Sequence, residues 1–355
     1  MPLYMDIHTV DSDSLSVEDV VKAHMEDLAI QDKFGVTQLK YWVNEEAKTL
    51  FCLMKGPDKE ACHQVHKQSH GNTACNIIEV SDNEYNLFMG VGTDIHDLAL
   101  TQSGELDTGY RTILLTNLIH FSKNRKYYTN KIHEIIKQHN GVLTLEPCND
   151  FMVSFIYASD AISCAISIEN LLCSSVDKIE FNLAISSGRP VDEQGKIFFE
   201  ETKMNVLSLC SLGITNKMFL DIESKILSVK ENHSENLEFN NFKIVDKNEI
   251  NFLIKLCKQL HQNLLNTEYK NNDLITSLGL SKSQAYRKIK SLTGFALNQL
   301  FQESRLQEAI NNITQNNKTV AETAFESGFN SPTYFTRTFK KRFKISPTEF
   351  LKLQS

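Results

Sequence analysis

The segment from residue 319 to residue 350 carries the pattern that most restricts how this chain can fold. Thr319 and Glu322 have the spacing of a capping box, in which each side chain satisfies a backbone N–H of the other residue. Gly328 then permits a tight turn, and Ser331, followed by proline, begins a second helix. This second helix carries aromatic residues four apart on one face: Phe335, Phe339 and Phe343.

The opposite face of the second helix is polar and basic. Helical spacing places four polar residues there: Thr333, Arg337, Lys340 and Lys341. A short helix, a glycine turn and a helix with an apolar back and a basic front form a helix-turn-helix, whose second helix enters the major groove of DNA. The alternative interpretation is a helical bundle whose basic face is simply solvated.

This segment resembles the second helix-turn-helix of the AraC/XylS transcription regulators in the strings SGFNSPTYFTRTFKK and SPTEF. That family carries two such units, so the resemblance implies an earlier one. The string NNDLITSLGLSKSQAYRKIKSLTG, Asn271 to Gly294, fits it, and residues 297–310 fit the helix that connects the two units. The candidate DNA-contacting residues of this first unit are Ser283, Arg287, Lys288 and Lys290.

The basic residues divide into two predicted roles. Arginine forms two parallel hydrogen bonds with guanine, so Arg287 and Arg337 are the candidates for base contacts. The remaining predicted contacts are to phosphates, which position a protein on DNA and set its salt dependence. The lysines expected to make them are Lys288, Lys340 and Lys341.

Charge divides the chain into an acidic part and a basic part. The whole chain carries a net charge of −7, whereas the part from Ile250 onward contains 15 Lys and Arg against 7 Asp and Glu, a net charge of +8. Residues 1–249 therefore carry −15. A basic arm of this kind favours a polyanion such as DNA as its partner.

The remaining composition indicates a cytoplasmic protein, and the resemblance to the AraC/XylS regulators implies a bacterial one. No apolar run approaches the length needed to cross a bilayer, and the acidic N-terminus is unlike a signal peptide. The eight cysteines are scattered without a C-x-x-C pair, which is typical of reduced thiols rather than of a disulfide framework. We therefore expect no membrane partner.

The first 80 residues have the order of elements of a ferredoxin-like sandwich, β-α-β-β-α-β. Gly35, Pro57 and Gly71 mark the ends of its periodic segments. The predicted strands are 3–7, 36–43, 49–54 and 76–80, and the predicted helices are 17–33 and 57–70.

Histidines are concentrated in this N-terminal unit. His63, His66 and His70 are spaced i, i+3, i+7, which places all three on one face of the second helix. On the first helix His24 lies three residues before Asp27. Neutral imidazole and carboxylate groups suit nickel, zinc or copper. The four histidines are therefore the candidate metal ligands.

The same unit resembles a family of small ferredoxin-like bacterial proteins described as nickel-binding. The strings that carry the resemblance are MPLYMDIH, AHMEDLAIQDKFGV, YWVNEEAKTLFCLMKGP and VHKQSHG, and the first of them places Asp6 and His8 on the first strand. The resemblance implies nickel, or another divalent transition metal, as a possible cofactor. The alternative is a structural or dimerising module in which His66 and His70 form hydrogen bonds within the sandwich.

Two further segments lie between these ends. Residues 81–109 combine glycine, acidic and polar residues with little periodicity, which predicts a linker. From residue 110 a second α+β pattern begins, with predicted strands at 111–119, 142–146, 151–156, 179–187 and 197–199 and helices at 123–139, 158–172 and 202–212. This pattern resembles the class III nucleotidyl cyclase domain in TILLTNLIHFS, HNGVLTLEPCNDFMVSF, DAISCAISI and LAISSGRPV.

The residues that cyclase chemistry requires are replaced in this segment. The resemblance places Asn117 and Asn149 where the family has two aspartates that bind metal ions, and Leu209 where it has a transition-state arginine, although Asn205 is kept. A one-residue shift would let Asp150 bind a metal, but without the surrounding glycines. Because losing several groups that act together in the transition state typically costs orders of magnitude in rate, we expect no catalytic activity.

We therefore expect a multidomain chain of α+β and all-α class. Its expected parts are a ferredoxin-like domain at 1–80, a linker at 81–109, a degenerate cyclase-like domain at 110–245 and a DNA-binding domain at 250–355. The expected function is regulation of transcription by a homodimer that binds double-stranded promoter DNA, with the N-terminal domains sensing a signal and dimerising. Two other classes remain open: a cyclase coupled to DNA binding, and a metal-binding protein that uses DNA only incidentally.

Overall fold

The computed structural model describes most of the chain, and the described part contains two β-sheets and a C-terminal group of helices. The described residues are 1–10, 15–90, 97–145, 150–211, 216–231, 237–266, 268–315 and 318–354. Within these ranges no helix combines the length and the apolar character that a membrane span requires.

The N-terminal domain is a ferredoxin-like sandwich, as predicted. Its elements are β1 (Leu3–Thr9), α1 (Val17–Ile30), β2 (Thr37–Asn44), β3 (Thr49–Lys55), α2 (Lys59–Ser69) and β4 (Asn76–Val80). The strands lie in the order β4-β1-β3-β2, with each neighbouring pair antiparallel. The element bounds agree closely with the prediction, because caps mark both helix starts: Ser16 and Asp58 accept hydrogen bonds from backbone N–H groups.

The two faces of this sheet have different partners. The face that carries Tyr41 packs on α1 and α2, where Val20 and Val65 are buried. The opposite face, which carries Trp42 and Phe51, belongs to a core that continues into the following domains. The sheet is therefore packed on both faces, and the face that carries Trp42 packs against residues far along the chain.

The segment predicted to be a linker is folded where it is described. Residues Asp82–Met89 form helix α3, with Ser81 as its N-cap, and Asp97–Leu98 form strand β5, which pairs parallel with β2. Phe88 and Ala99 are buried in the shared core. The interpretation of 81–109 as a linker therefore differs from the structure, because short elements buried by other domains show little periodicity of their own.

An ion pair anchors the end of this segment. The Arg111 guanidinium donates two hydrogen bonds to the Asp107 carboxylate, with N–O distances of 2.9 and 2.8 Å. Its Nε also donates to the backbone oxygen of Phe88 at 2.9 Å, and Trp42 Nε1 donates to Asp107 at 3.3 Å. The pair therefore joins the sandwich, the segment and the next domain in one buried network.

The middle domain is a six-stranded mixed sheet within the described residues, in the order β11-β10-β9-β6-β8-β7. Its strands are β6 (Arg111–His120), β7 (Val142–Leu145), β8 (Phe151–Phe155), β9 (Ile179–Gly188), β10 (Lys217–Asp221) and β11 (Phe242–Val245). Its helices are α4 (Arg125–Gln138), α5 (Ala158–Cys173), α6 (Glu200–Cys210) and α7 (Ile222–Lys230). The short strand predicted at 197–199 is absent, because Phe199 has a left-handed φ of 52° and precedes α6 directly.

The C-terminal domain is all-helical, as predicted. Its helices are α8 (Lys247–Gln262), α9 (Asn271–Leu278), α10 (Lys282–Thr293), α11 (Leu297–Gln315), α12 (Val320–Glu326), α13 (Pro332–Phe343) and α14 (Pro347–Gln354). The pairs α9–α10 and α12–α13 are the two helix-turn-helix units, and α11 connects them.

Candidate functional site

The second helix-turn-helix is formed by the local signals that the sequence shows. Thr319 and Glu322 form the capping box that begins α12. Gly328 has a φ of 80°, and a Cβ added there would lie 2.4 Å from the backbone oxygen of Leu264. Both the left-handed backbone and this close approach require glycine.

Helix α13 has the two faces that the sequence predicts. Phe335, Phe339 and Phe343 are buried in one aromatic cluster. The predicted DNA-contacting residues of this helix are all exposed: Thr333, Arg337, Lys340 and Lys341. The Arg337 guanidinium lies 5.5 Å from the centre of the Tyr334 ring, within the range of a cation–π contact.

Helix α10 also presents a polar face. Ser283 and Arg287 are exposed, and neither is part of the core. Lys288 is half-buried, with its Nζ 4.5 Å from the centre of the Phe252 ring. Lys290 is exposed and donates a 2.6 Å hydrogen bond to the backbone oxygen of Gly294 at the end of its own helix. Of the three predicted cations of α10, Arg287 and Lys290 are thus exposed and Lys288 is half-buried, while the DNA contacts of all four residues stay predictions.

Sequence reasoning gave no role to Arg342, which joins the DNA-binding domain to the middle domain. It lies on α13 away from the exposed basic face and forms ion pairs with Glu180 of β9 at 2.9 Å and Glu303 of α11 at 3.0 Å. Lys178 donates a 2.7 Å hydrogen bond to the backbone oxygen of Phe343. The two contacts with β9 and the residue before it join positions more than 160 residues apart, and Glu303 lies 39 residues before Arg342, so no local pattern predicts them.

The strongest cluster of ligating groups lies in the sandwich and is centred on His66. Its Nδ1 lies 2.9 Å from an Asp27 oxygen, and its Nε2 lies 2.9 Å from an Asp6 oxygen. His8 Nε2 approaches Asp6 at 3.3 Å, and His70 Nε2 approaches Asp27 at 3.3 Å. Strand β1 and helices α1 and α2 each supply part of the cluster.

Two groups of potential metal ligands share His66. Their ligating atoms lie within 4.8 Å of one another in each group: Asp27, His66 and His70 in one, and Asp6, His8, Cys52 and His66 in the other. His66 and His70 are thus brought together as predicted. The thiol of Cys52 was not foreseen, because a buried cysteine on a strand has no distinctive spacing.

The other two predicted metal ligands, His24 and His63, are not members of either group of ligating atoms. The buried ring of His24 is 4.4 Å from the ring of Tyr41, and both line the cavity beside the cluster. This cavity has a volume of about 640 Å³. His63 is half-buried and belongs to neither group of ligating atoms among the described residues. Of the three histidines on this face of α2, His66 and His70 therefore belong to the cluster and His63 does not.

The carboxylates hold His66 in its charged form. Burial by itself would lower the pKa of His66, but the hydrogen bonds and charges of Asp27 and Asp6 outweigh it and raise the pKa to about 10. In turn, burial would raise the pKa of both carboxyl groups, and the facing histidines hold them well below their usual range. At neutral pH the cluster is an imidazolium between two carboxylates.

Among the described residues of the middle domain, the positions of the cyclase residues belong to no group of potential metal ligands. Leu209 is buried in the core, and the Asn205 amide donates to the Ser186 hydroxyl at 3.1 Å. Burial raises the pKa of Asp150 to about 7, so this carboxyl group is partly protonated near neutral pH. The predicted position Asn149 lies outside the described residues. Asn117 is half-buried within β6, where it pairs with Asn182 of β9.

Two family comparisons match these domains. The family described as "Helix-turn-helix domain" matches residues 274–353, and the "Nickel responsive protein SCO4226-like" family matches residues 4–80. The chain is 30% identical over 105 residues to the "Probable transcription factor PqrA" of Proteus vulgaris, covering 29% of this chain and 84% of that protein. The chain therefore belongs to the family of helix-turn-helix transcription factors.

Two further similarities differ in how much of each chain they cover. It is 28% identical over 134 residues to "Histidine kinase P4" of Formosa agariphila, which is 36% of this chain and only 10% of that protein. The solved structure of SCO4226 from Streptomyces coelicolor A3(2) is 31% identical and covers 22% of this chain and 94% of that chain, with a TM-score of 0.21. The chain thus spans a small part of the kinase, and it combines two domains that match different families.

Proposed function

We propose that this AraC-type chain regulates transcription by reading two successive major grooves of promoter DNA, one with each helix-turn-helix. The observation that carries this proposal is the pair of recognition helices whose aromatic or aliphatic backs are buried while their arginines, Arg287 and Arg337, are exposed. The net charge of +8 from Ile250 onward supports it, since contact with phosphates supplies much of the affinity for DNA.

We expect selection from a random duplex library with the full chain to yield a bipartite site. Successive major grooves on one side of the duplex are about 10 base pairs apart, so the two conserved half-sites should be separated by about that distance. Inserting about five base pairs between them turns one half-site to the far side of the helix, and we expect it to abolish tight binding.

Selection of a single half-site, or tolerance of the insertion, would contradict reading by both units. Because Ile119 and Phe121 of the middle domain pack on the second unit, the full chain rather than an isolated C-terminal segment is the appropriate sample. Binding that falls steeply with added salt on all sequences alike would indicate phosphate contact without base readout.

We infer that the sandwich senses a divalent transition metal, nickel first, at the group formed by Asp27, His66 and His70. The donor set fits such an ion in chemistry and spacing, since imidazole and carboxylate groups lie within 4.8 Å of one another beside a cavity. The family that matches residues 4–80 is described as nickel responsive. His66 carries a proton on each ring nitrogen between the carboxylates, so ligation through either nitrogen must release a proton.

Titration calorimetry of the full chain with Ni²⁺ tests this input. We expect binding tighter than about 0.1 mM, equivalent to about 5.5 kcal/mol, which His70→Ala weakens at least tenfold. His63→Ala is the matched control on the same helix and should leave the affinity unchanged. Because the metal replaces a proton on His66, whose pKa is raised to about 10, the affinity should rise with pH between about 6.5 and 10.

Equal weakening by the two variants, or binding no tighter than about 0.1 mM for nickel, zinc and copper alike, would contradict a metal site at this cluster. The sandwich would then be a structural or small-molecule module. A pH-independent affinity would place the metal on groups other than His66.

We propose that the middle domain is a degenerate cyclase-like domain that pairs two chains. A domain that loses its chemistry can retain its pairing surface, and pairing raises the effective concentration of two DNA-binding domains on a repeated operator. Sedimentation of the full chain should give twice the monomer mass of 40.5 kDa at micromolar concentration. A monomer mass throughout that range would contradict the proposal, and cyclic product from ATP or GTP with manganese would favour the cyclase alternative instead.

A further inference from the structure

A cavity of about 770 Å³ lies between the middle domain and the helices of the DNA-binding domain. Helix α6 of the middle domain forms one wall, α8 forms the second and α11 forms the third, with Asn117 of β6 closing one side. Cavities that bind small molecules have volumes of about 300–1,000 Å³ and occur preferentially at domain interfaces. This one is separate from the DNA-reading faces and from the His66 cluster.

The wall formed by α6 and α8 combines an apolar patch with four polar residues, Ser208, Ser211, Lys258 and His261. Met204 and Leu207 project into the cavity from α6, and they are 42% and 50% exposed. Ile254, Leu260 and Leu264 extend the apolar surface along α8 and the residues that follow it. Large apolar side chains exposed side by side in a concave site are characteristic of a surface that another molecule covers.

The wall formed by α11 is polar. Four residues spaced i, i+3, i+4 and i+7 face the cavity from this helix: Ser304, Gln307, Glu308 and Asn311. The amide of Asn117 and the hydroxyl of Ser208 add polar groups from the middle domain. Hydrogen-bonding groups are therefore densest along α11, and Lys258 and His261 add two more from α8, around an apolar patch, which is the usual composition of a small-molecule site.

We propose that this cavity is a binding site for a small amphipathic molecule, with an apolar ring system against α6 and α8 and hydrogen-bonding groups along the edge that meets α11. The volume matches such a molecule rather than a metal ion or a peptide. The apolar wall supplies affinity through burial, and the amide and hydroxyl groups of α11 fix the orientation.

A ligand in this position acts on both DNA-reading units at once. Helix α11 connects the two helix-turn-helix units, and it is held to the middle domain through Glu303, Arg342 and Glu180. A molecule between α6 and α11 that favours one separation of these helices therefore shifts the relative placement of the two units. This consequence rests on the proposed function, whereas the binding site itself does not.

Fluorescence titration of the full chain with 8-anilinonaphthalene-1-sulfonate, an amphipathic aromatic probe, tests the site. We expect a saturable increase in fluorescence. Ser304→Trp should lower the affinity for the probe about tenfold, equivalent to about 1.4 kcal/mol, because the indole fills the cavity. Gln302→Trp is the matched control, since Gln302 is also half-buried on α11 but is not part of the cavity wall.

Leu207→Ser provides a second variant that removes apolar surface at a half-exposed position and leaves the core intact. This variant should also lower the affinity for the probe. Unchanged titrations for both Ser304→Trp and Leu207→Ser, or no saturable signal from the wild-type chain, would overturn the site. Weaker probe binding by both variants would support the site. If saturating probe then left the affinity for operator DNA unaltered, the coupling of the site to DNA binding would be overturned.

Discussion

Replacing both Arg287 and Arg337 by alanine is expected to remove most of the sequence preference of this chain. Each arginine is exposed on a different recognition helix. A bidentate contact between arginine and guanine contributes about 1–3 kcal/mol of discrimination. Because the two residues share no partner, the losses should add to about 2–6 kcal/mol for the double variant.

Binding selection and anisotropy titrations on the preferred operator measure this effect. Lys352→Ala, which removes an exposed cation from α14 of the same domain, is the matched control and should preserve the base preference. Lys340→Ala should lower affinity on all sequences alike and reduce the salt slope by about one. A double arginine variant that keeps both affinity and base preference would show that the reading face is assigned wrongly.

The stability of the whole chain is expected to depend strongly on Asp107. Its partner Arg111 is 2% exposed, and the carboxylate accepts two of its hydrogen bonds. Removing one partner of a buried ion pair leaves an uncompensated charge and costs about 3–5 kcal/mol. Asp107→Ala should therefore lower the free energy of unfolding by about that amount, which is a large fraction of the stability of a typical domain.

Denaturant unfolding of the full chain measures this loss. Glu105→Ala, on the exposed side of the same segment, is the control and should change the free energy of unfolding by less than about 1 kcal/mol. Burial alone would raise the pKa of Asp107, but Arg111 outweighs it and lowers that pKa. The contribution of the pair is therefore present above the ordinary aspartate pKa of about 3.9 and is lost as pH falls below it. Equal effects of the two variants would contradict an anchoring role.

The helix-turn-helix units were predictable because their signals are local. The capping box of Thr319 and Glu322, the left-handed turn at Gly328 and the aromatic stripe of α13 each depend on residues within one or two turns of one another. The ferredoxin-like sandwich was predictable for the same reason, since alternating strands and capped helices fix its element order.

The histidine cluster shows where local signals end. Helical spacing put His63, His66 and His70 on one face, but only two of them reach the carboxylates. Asp6 lies on β1 and Asp27 lies on α1, whereas His66 lies on α2. The charged state of His66 follows from its distances to these two carboxylates. Sequence spacing indicates which residues share a face, and packing decides which of them meet.

The sequence by itself determined the class of each domain and the exposed basic face of α13, because periodicity and caps act over a few residues. Only the tertiary structure decided that the predicted linker is folded, that Asp107 pairs with Arg111 in a buried site, and that Arg342 binds Glu180 from another domain. These contacts depend on burial by elements distant in the chain. Short segments that derive their stability from such burial carry no periodicity from which it can be predicted.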